Sequence, residues 1–384
     1  MSGINNKESC TLILQNDFDK FGFYVSNNRK TYSKFEAIEY STEFQWNFND
    51  DVFSSYDWLK EPIPDINYFY DNRAKQIREK YDYIVLFYSG GFDSHNILKT
   101  FYDNNIHIDE VLTNIPSLQI DSTQTIEYRL FTSKKIEKYK KLMPNTVFRF
   151  IEYKDILLNE LVNQQDILYS LNHRLTVNHF AKSNYKKTIP EHKSMVESGK
   201  NICYIFGIDK PVISMHKGIY YSRFSDLQLA NVVLPEIQFN RIDDIKYEFF
   251  YWSPDCVPLL IKQAHVAKGY YKNKPKIQNF HNYDYDEQHY NYVIYPRCVN
   301  DNEFGYFYEK QYQTAFKRLN AKRNVYEIAG SGGRDSWIHD LNHPVVKRTY
   351  EPLSFIQKNF KQAFRENNTH NHLKIGVNYY SIGE

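Results

Sequence analysis

One stretch constrains the fold more than any other. Ile84 to Tyr88 (IVLFY) is a continuous apolar run, and Ser89-Gly90-Gly91-Phe92-Asp93-Ser94 follows it directly. A strand that is apolar at every position needs both faces covered, as in the middle of a parallel sheet. Ile97, Leu98 and Phe101 then recur at helical spacing. Strand, glycine turn and helix in that order build an anion cradle. The strand fixes the entry, the glycines let backbone N–H groups approach oxygens, and the helix N-terminus faces the negative charge. Ser89 and Ser94 add hydroxyl donors. Asp93 repels a bare phosphate, so it implies either Mg2+ between carboxylate and phosphate or a structural capping role. The plain alternative is an ordinary strand–turn–helix corner.

The rhythm continues downstream. His107–Thr113 reads as a second strand, Ser122–Leu142 as a basic helix, Thr146–Tyr153 as a third strand, Asp155–Phe180 as more helix and Asn201–Pro211 (NICYIFGIDKP) as a fourth strand. This alternation predicts an α/β fold with a doubly wound, mostly parallel sheet. Ahead of it, residues 1–80 read as a short α+β lead-in. There a strand, a Ser-Asn-Asn turn and a strand precede a helix capped by Ser33, with Glu36 three residues on. A second helix opens at Asp65 and carries Ile66, Phe69, Ala74, Ile77 and Tyr81 along one stripe. Beyond Phe250, Ser253, Pro254 and Asp255 start a helix that runs to Gly269. The last third reads as helical and loop-rich. The expected parts are therefore 1–80, 81–245 and a mainly helical 246–384.

Composition removes several function classes. Lys and Arg number 48 against 46 Asp and Glu, a net charge of +2, so nucleic acid is not a favoured partner, although a local basic patch stays open. Cys10, Cys203, Cys256 and Cys298 lie far apart, a poor disulfide framework and a poor zinc set. With no long apolar run, no membrane span is expected, and a reduced cytoplasm fits best. The 17% aromatic content, mostly Tyr and Phe, reads as AT-rich coding rather than a stacking surface.

SGGFDS behind a buried strand resembles the PP-loop of the N-type ATP pyrophosphatases, which include asparagine, argininosuccinate, GMP and tRNA lysidine synthetases. The resemblance covers about residues 81 to 215 and is specific at the loop. It implies an adenine nucleotide alpha hydrolase-like fold, ATP and Mg2+ as cofactors, and cleavage of ATP to AMP and pyrophosphate. A substrate carboxylate or carbonyl oxygen would be activated for attack by a nitrogen nucleophile. Ser89, Gly90, Gly91, Asp93 and Ser94 would hold the pyrophosphate end, with Asp93 at the metal. Backbone from Leu86 to Tyr88, with Leu112 and Thr113, would flank adenosine. The asparagine-synthase-like branch carries a second acidic motif after a later strand. IFGIDKP stands there, which makes Asp209 a candidate metal ligand and Lys210 a candidate catalytic cation. It departs from the branch's usual Gly-Asp-Glu. RAKQIREKYDYIVLFYSGGFDS and FFYWSPDCVPLLIKQAHVAKGYY are similar to asparagine-synthase-like proteins of bacteriophages, which would place the chain in a host cytoplasm.

Ser2 stands where glutamine-dependent asparagine synthetases carry a catalytic cysteine, so nitrogen is expected from ammonia, a substrate amine or a partner. The acceptor, small-molecule or macromolecular, is not named by the sequence, and a homo-oligomer stays open. Two rival readings remain: a regulatory module that binds adenine nucleotide without turnover, and an ATP-dependent enzyme that modifies a nucleobase in tRNA or DNA. Three lesser features read blandly. His281, Asp284, Asp286 and His289 read as a solvated loop rather than a metal site. Lys262, His265, Lys268 and Lys272 read as a solvated helix face, with a basic stripe for an acidic ligand as the alternative. Lys134, Lys135, Lys138, Lys140 and Lys141 read as another solvated face. The hexapeptide pattern recurs as Ser331-Gly332-Gly333-Arg334-Asp335-Ser336. It lacks an apolar strand before it, and Pro344 bars a long helix after it, which disfavours a second ATP site. A coincidental turn and a fold-back that brings Arg334 to the first site both remain.

Overall fold

The computed structural model describes residues 19–32, 34–41, 44–119, 123–156, 189–207, 211–225, 245–273, 291, 293–299 and 377–384. A 3-10 turn at Asp19–Phe21 leads into β1 (Phe23–Ser26), β2 (Arg29–Thr31), α1 (Lys34–Tyr40), β3 (Phe44–Asn47) and α2 (Asp50–Phe53). These strands form an antiparallel sheet in the order β2-β1-β3. Asn27 and Asn28 take φ of 48° and 60°, the left-handed pair that a tight hairpin needs. Ser33, the expected cap, lies outside the described residues, and the Glu36 carboxylate accepts from the hydroxyls of Thr31 and Tyr40.

Helix α3 (Ile66–Lys80) opens on Asp65, whose carboxylate accepts from the N–H groups of Asn67 at 2.8 Å and Tyr68 at 3.2 Å. There follow β4 (Tyr83–Phe87), α4 (Phe92–Asp103) and β5 (Glu110–Ile115). Next, α5 (Thr123–Glu127) passes through a π-helical turn, Tyr128–Thr132, into α6 (Ser133–Leu142). Then come β6 (Val147–Glu152), α7 (Pro190–Glu197), β7 (Ile202–Phe206), β8 (Val212–His216), β9 (Ile219–Ser225), β10 (Lys246–Phe249), α8 (Val257–Lys272), α9 (Pro296–Val299) and β11 (Val377–Gly383).

The central sheet has five parallel strands in the order β10-β7-β4-β5-β6. The chain winds outward from β4 through β5 to β6, then returns to β4's other side with β7 and β10. This is a doubly wound α/β sheet, and its order reverses between β4 and β7. In such sheets the crevice beyond the carboxyl ends at the reversal is where ligands bind. The strand runs over 84–88, 107–113, 146–153 and 201–211 match β4, β5, β6 and β7. The hairpin β8–β9 has no expectation in the sequence reading, and β10 and β11 lie within 246–384, expected to be mainly helical; β10 instead extends the parallel sheet, while β8, β9 and β11 make a separate antiparallel sheet in the order β11-β9-β8.

Alternation along the strands sorts the core into two layers. Ile84, Leu86, Cys203 and Ile205 share one face with Glu248, whose partner Arg73 is on α3. Phe87, Tyr204, Phe206, Tyr247 and Phe249 share the other, with Phe87 stacked on Phe206 at 4.3 Å between ring centroids. A second aromatic cluster joins Phe48, Phe53 and Trp58 to Phe224, Trp252 and Tyr380. Much of the aromatic content is thus core, where offset and edge-on ring pairs add to area burial.

Two carboxylates are buried within this sheet. Glu248 takes Arg73 at 2.8 Å, Lys80 at 3.0 Å, Lys20 at 3.3 Å and the Tyr81 hydroxyl. Glu110 takes Arg149 Nε at 2.8 Å, His192 Nε2 at 2.9 Å and the Tyr83 hydroxyl at 3.1 Å. Burial alone pushes both acids up. For Glu248, Arg73, Lys20, the Tyr81 hydroxyl and Lys80 reverse the shift and hold it well below the usual carboxylate range. For Glu110, hydrogen bonds from His192 and Arg149 do the same.

Candidate functional site

The Ser89–Ser94 loop leaves the carboxyl end of β4, and Gly207 leaves the carboxyl end of β7 beside it. A Cβ built on Gly207 would lie 3.1 Å from both Asp93 C and Ser94 N, so the two strand exits touch at the sheet's reversal point. β4 and β5 are tied at the same level. Tyr88 N donates to Leu112 O at 2.8 Å, and Thr113 Oγ1 donates to Tyr88 O at 2.9 Å. Leu86 is fully buried within β4.

Gly90 sits at φ +83°, which favours glycine, and a Cβ there would fall 2.3 Å from Thr132 Oγ1. Gly91 caps α4 without any side-chain hydrogen bond, so the first-turn N–H groups of the helix are left to other acceptors. Ser94 Oγ lies 3.2 Å from both Ser89 N and Ser89 Oγ, which closes the loop on itself. Ser89 is exposed, whereas Gly91, Phe92 and Asp93 are half-buried.

The loop is gripped from two directions. From one side, Thr132 Oγ1 donates to Ser89 O and Lys135 Nζ to Gly90 O, each at 2.7 Å. Lys135 is only 2% exposed. Of the five lysines read as a solvated face, Lys134, Lys138, Lys140 and Lys141 are exposed as expected, and Lys135 corrects the reading. It shares the buried side of α6 with Ile136 and, four residues on, Tyr139.

From the other side, Tyr295 OH donates to Asp93 Oδ1 at 2.6 Å and Tyr251 OH to Asp93 O at 2.7 Å. Asn96 Nδ2 donates to Tyr251 OH at 3.1 Å. Burial first, then the Asp93 charge, push the Tyr295 phenol well above its ordinary range, so it acts as a neutral donor. Tyr295 is itself placed by α3 and α8: Tyr70 OH donates to Ile294 O at 2.6 Å and takes Gln263 Nε2 at 3.1 Å. Arg297 anchors α9 to Asp71 at 2.5 Å and to Asp103 at 3.5 Å.

The α8 stripe also departs from both sequence readings. Lys262 bonds Glu61 at 2.7 Å, His265 Nε2 lies 2.9 Å from Trp58 O, and Lys268 donates to Ile382 O at 2.6 Å. These three side chains fasten neighbouring segments, whereas Lys272 is exposed as a solvated face expects. Burial chiefly pushes His265 below its ordinary value. Helix α8 is buried through Val257, Leu259, Leu260, Ile261, Ala264 and Ala267, leaving little room for such a face.

The donor set at the loop suits a magnesium polyphosphate. It combines backbone N–H groups, two serine hydroxyls and one carboxylate, which are hard, oxygen-directed partners. Asp209, Lys210, Arg334, the second loop at 331–336 and the His281–His289 cluster lie outside the described residues. Among the described residues there is no group of three or more His, Cys, Asp or Glu side chains placed to hold a metal, and no helix long and apolar enough to cross a membrane. No family model matches the chain, and no curated protein matches it in sequence. Among solved structures it matches the NH3-dependent NAD synthetase of Campylobacter jejuni in complex with nitrate, at 14% identity and a TM-score of 0.29. The match covers 69% of this chain and 99% of the synthetase.

Proposed function

We propose that the chain is an ATP-dependent adenylating enzyme that cleaves ATP to AMP and pyrophosphate at the Ser89–Ser94 loop. One observation carries this reading. A glycine loop with an uncapped helix behind it and a half-buried aspartate inside it stands at the reversal point of a doubly wound parallel sheet. A substrate carboxylate or carbonyl oxygen would attack the α phosphorus. The bond between that phosphorus and the α–β bridging oxygen would break, and pyrophosphate would leave carrying the electron pair. A nitrogen nucleophile would then displace AMP.

The chain's own part is to position groups and balance charge. The N–H groups of Gly90, Gly91 and the first turn of α4 would receive the β and γ oxygens as negative charge builds on the leaving group. Ser89 and Ser94 would add hydroxyl donors. Asp93, oriented by Tyr295, would hold Mg2+, which supplies charge neutralisation between carboxylate and phosphates. Asp209 and Lys210, two and three residues after Gly207, would complete the polar rim, and Arg334 would reach the phosphates if its segment folds back.

The test is pyrophosphate release from ATP and Mg2+ with candidate carboxylate acceptors and ammonia. Asp93→Ala is expected to lower release by about a hundredfold or more. Equal release by both proteins would sink the assignment. Calorimetry that shows ATP and AMP binding without cleavage in any mixture would leave a nucleotide-binding module instead.

A further inference from the structure

The grip of Thr132 and Lys135 on the loop falls on its carbonyl oxygens, and this has a geometric consequence. In a trans peptide the C=O and the following N–H point in opposite directions. Thr132 fixes the carbonyl of Ser89, and Lys135 fixes that of Gly90. The N–H groups of Gly90 and Gly91 must therefore face away from α6. Only a long contact, 3.3 Å to Ser89 Oγ, engages the Gly91 N–H within the loop. Gly90 has the backbone freedom to let a neighbouring peptide turn over, which would present carbonyl oxygens to an arriving anion. The two side chains remove that alternative.

Lys135 also places an ammonium directly behind the loop at almost complete burial. The hydrogen bond to Gly90 O holds that ammonium beneath the anion cradle, where low dielectric strengthens electrostatic interactions.

We propose that Thr132 and Lys135 are positioning residues for a polyphosphate. They would set the Ser89–Gly90–Gly91 peptide planes so that amides rather than carbonyls meet the anion, and Lys135 would add charge through the loop. The proposal rests on the function argued above and adds two residues of the π turn and α6 to it.

Calorimetry of the full chain with inorganic pyrophosphate and with ATP, each with Mg2+, tests it. Lys135→Met is expected to weaken both ligands by about tenfold or more, as for loss of a charge-assisted contact. Thr132→Val should weaken them by roughly fivefold and Thr132→Ser by less than about twofold, as for loss and retention of one neutral hydrogen bond. Thermal unfolding is followed in parallel. A lowered unfolding midpoint with unchanged affinity of the folded protein would mark a purely structural role and overturn the proposal. If Lys135→Met does not fold, the Thr132 pair decides, because valine keeps the shape and serine keeps the hydroxyl. Wild-type protein that binds neither ligand would overturn the underlying function itself. Wild-type binding with unaffected variants would overturn only the positioning.

Discussion

Glu248 and Asp93 are both carboxylates of the central α/β layer, and they are treated in opposite ways. Glu248 is buried among Arg73, Lys80 and Lys20, with the Tyr81 hydroxyl as a fourth donor. Glu110 has Arg149 and His192. Asp93 is half-buried at the carboxyl end of the sheet and receives, among the described residues, the hydroxyl of Tyr295 and no cation. Among the described residues, positive charge goes to the acids within the sheet and none pairs with the carboxylate at the loop. A carboxylate held in place yet incompletely neutralised suits a ligand that brings its own cation.

The largest test of this contrast is a pair of substitutions. Glu248→Gln leaves Arg73 buried without its counter-charge and should cost about 3–5 kcal/mol of stability. Asp93→Asn should shift stability by less than about 1 kcal/mol while removing nucleotide handling, since only one hydrogen bond to a hydroxyl is altered. Denaturant unfolding measures both, and comparable losses would break the comparison.

Acid comes next in size. Glu248 and Glu110 both titrate below their ordinary range in the folded protein. Their contribution is thus fully present above the unfolded value of about 4.3 and is lost as pH falls through the lower folded values. Unfolding free energy contributed by these groups should be flat from pH 7 to about 5 and then fall steeply toward about pH 2. Glu110→Gln should flatten part of that fall, and an unchanged slope would show that the Glu110 cluster is not its source.

The smallest effect is expected at Tyr295. Tyr295→Phe removes the donor to Asp93 and should cost about 1 kcal/mol of stability, with a weaker apparent affinity for Mg2+ in the presence of ATP. Unchanged magnesium dependence would leave Tyr295 as packing alone.

The strand, the glycine turn and the start of α4 were legible because they are contiguous. Apolar run, glycines and helical spacing occupy Ile84 to Phe101, and local pattern carries the whole unit. Four residues that hold the loop were not. Thr132 and Lys135 reach Ser89 and Gly90 from 43 and 45 residues away, and Tyr251 and Tyr295 reach Asp93 from 158 and 202. No periodicity connects positions so far apart. A partial signal existed for Lys135, which lies four residues before a buried tyrosine and so on the apolar side of its helix. Five lysines within eight residues mask it. The α8 residues differ from the charge-spacing expectation for a similar reason: VPLLI and AHVA leave the helix apolar nearly all round, so its polar side chains meet neighbouring segments.

The π-helical turn at Tyr128–Thr132 sets the phase between the two halves of the helix that crosses beneath the loop. Such a turn holds one residue more than an α turn, and each residue of an α-helix advances the azimuth by about 100°. Thr132 closes that turn and Lys135 stands three residues further on, so the turn sets the phase at which α6 follows α5. Loss of a single codon from it would change that phase by about 100° while leaving every residue of SGGFDS untouched. If Thr132 and Lys135 set the loop's peptide planes as proposed, the length of this turn is a place outside the hexapeptide where related chains would differ in the loop they present.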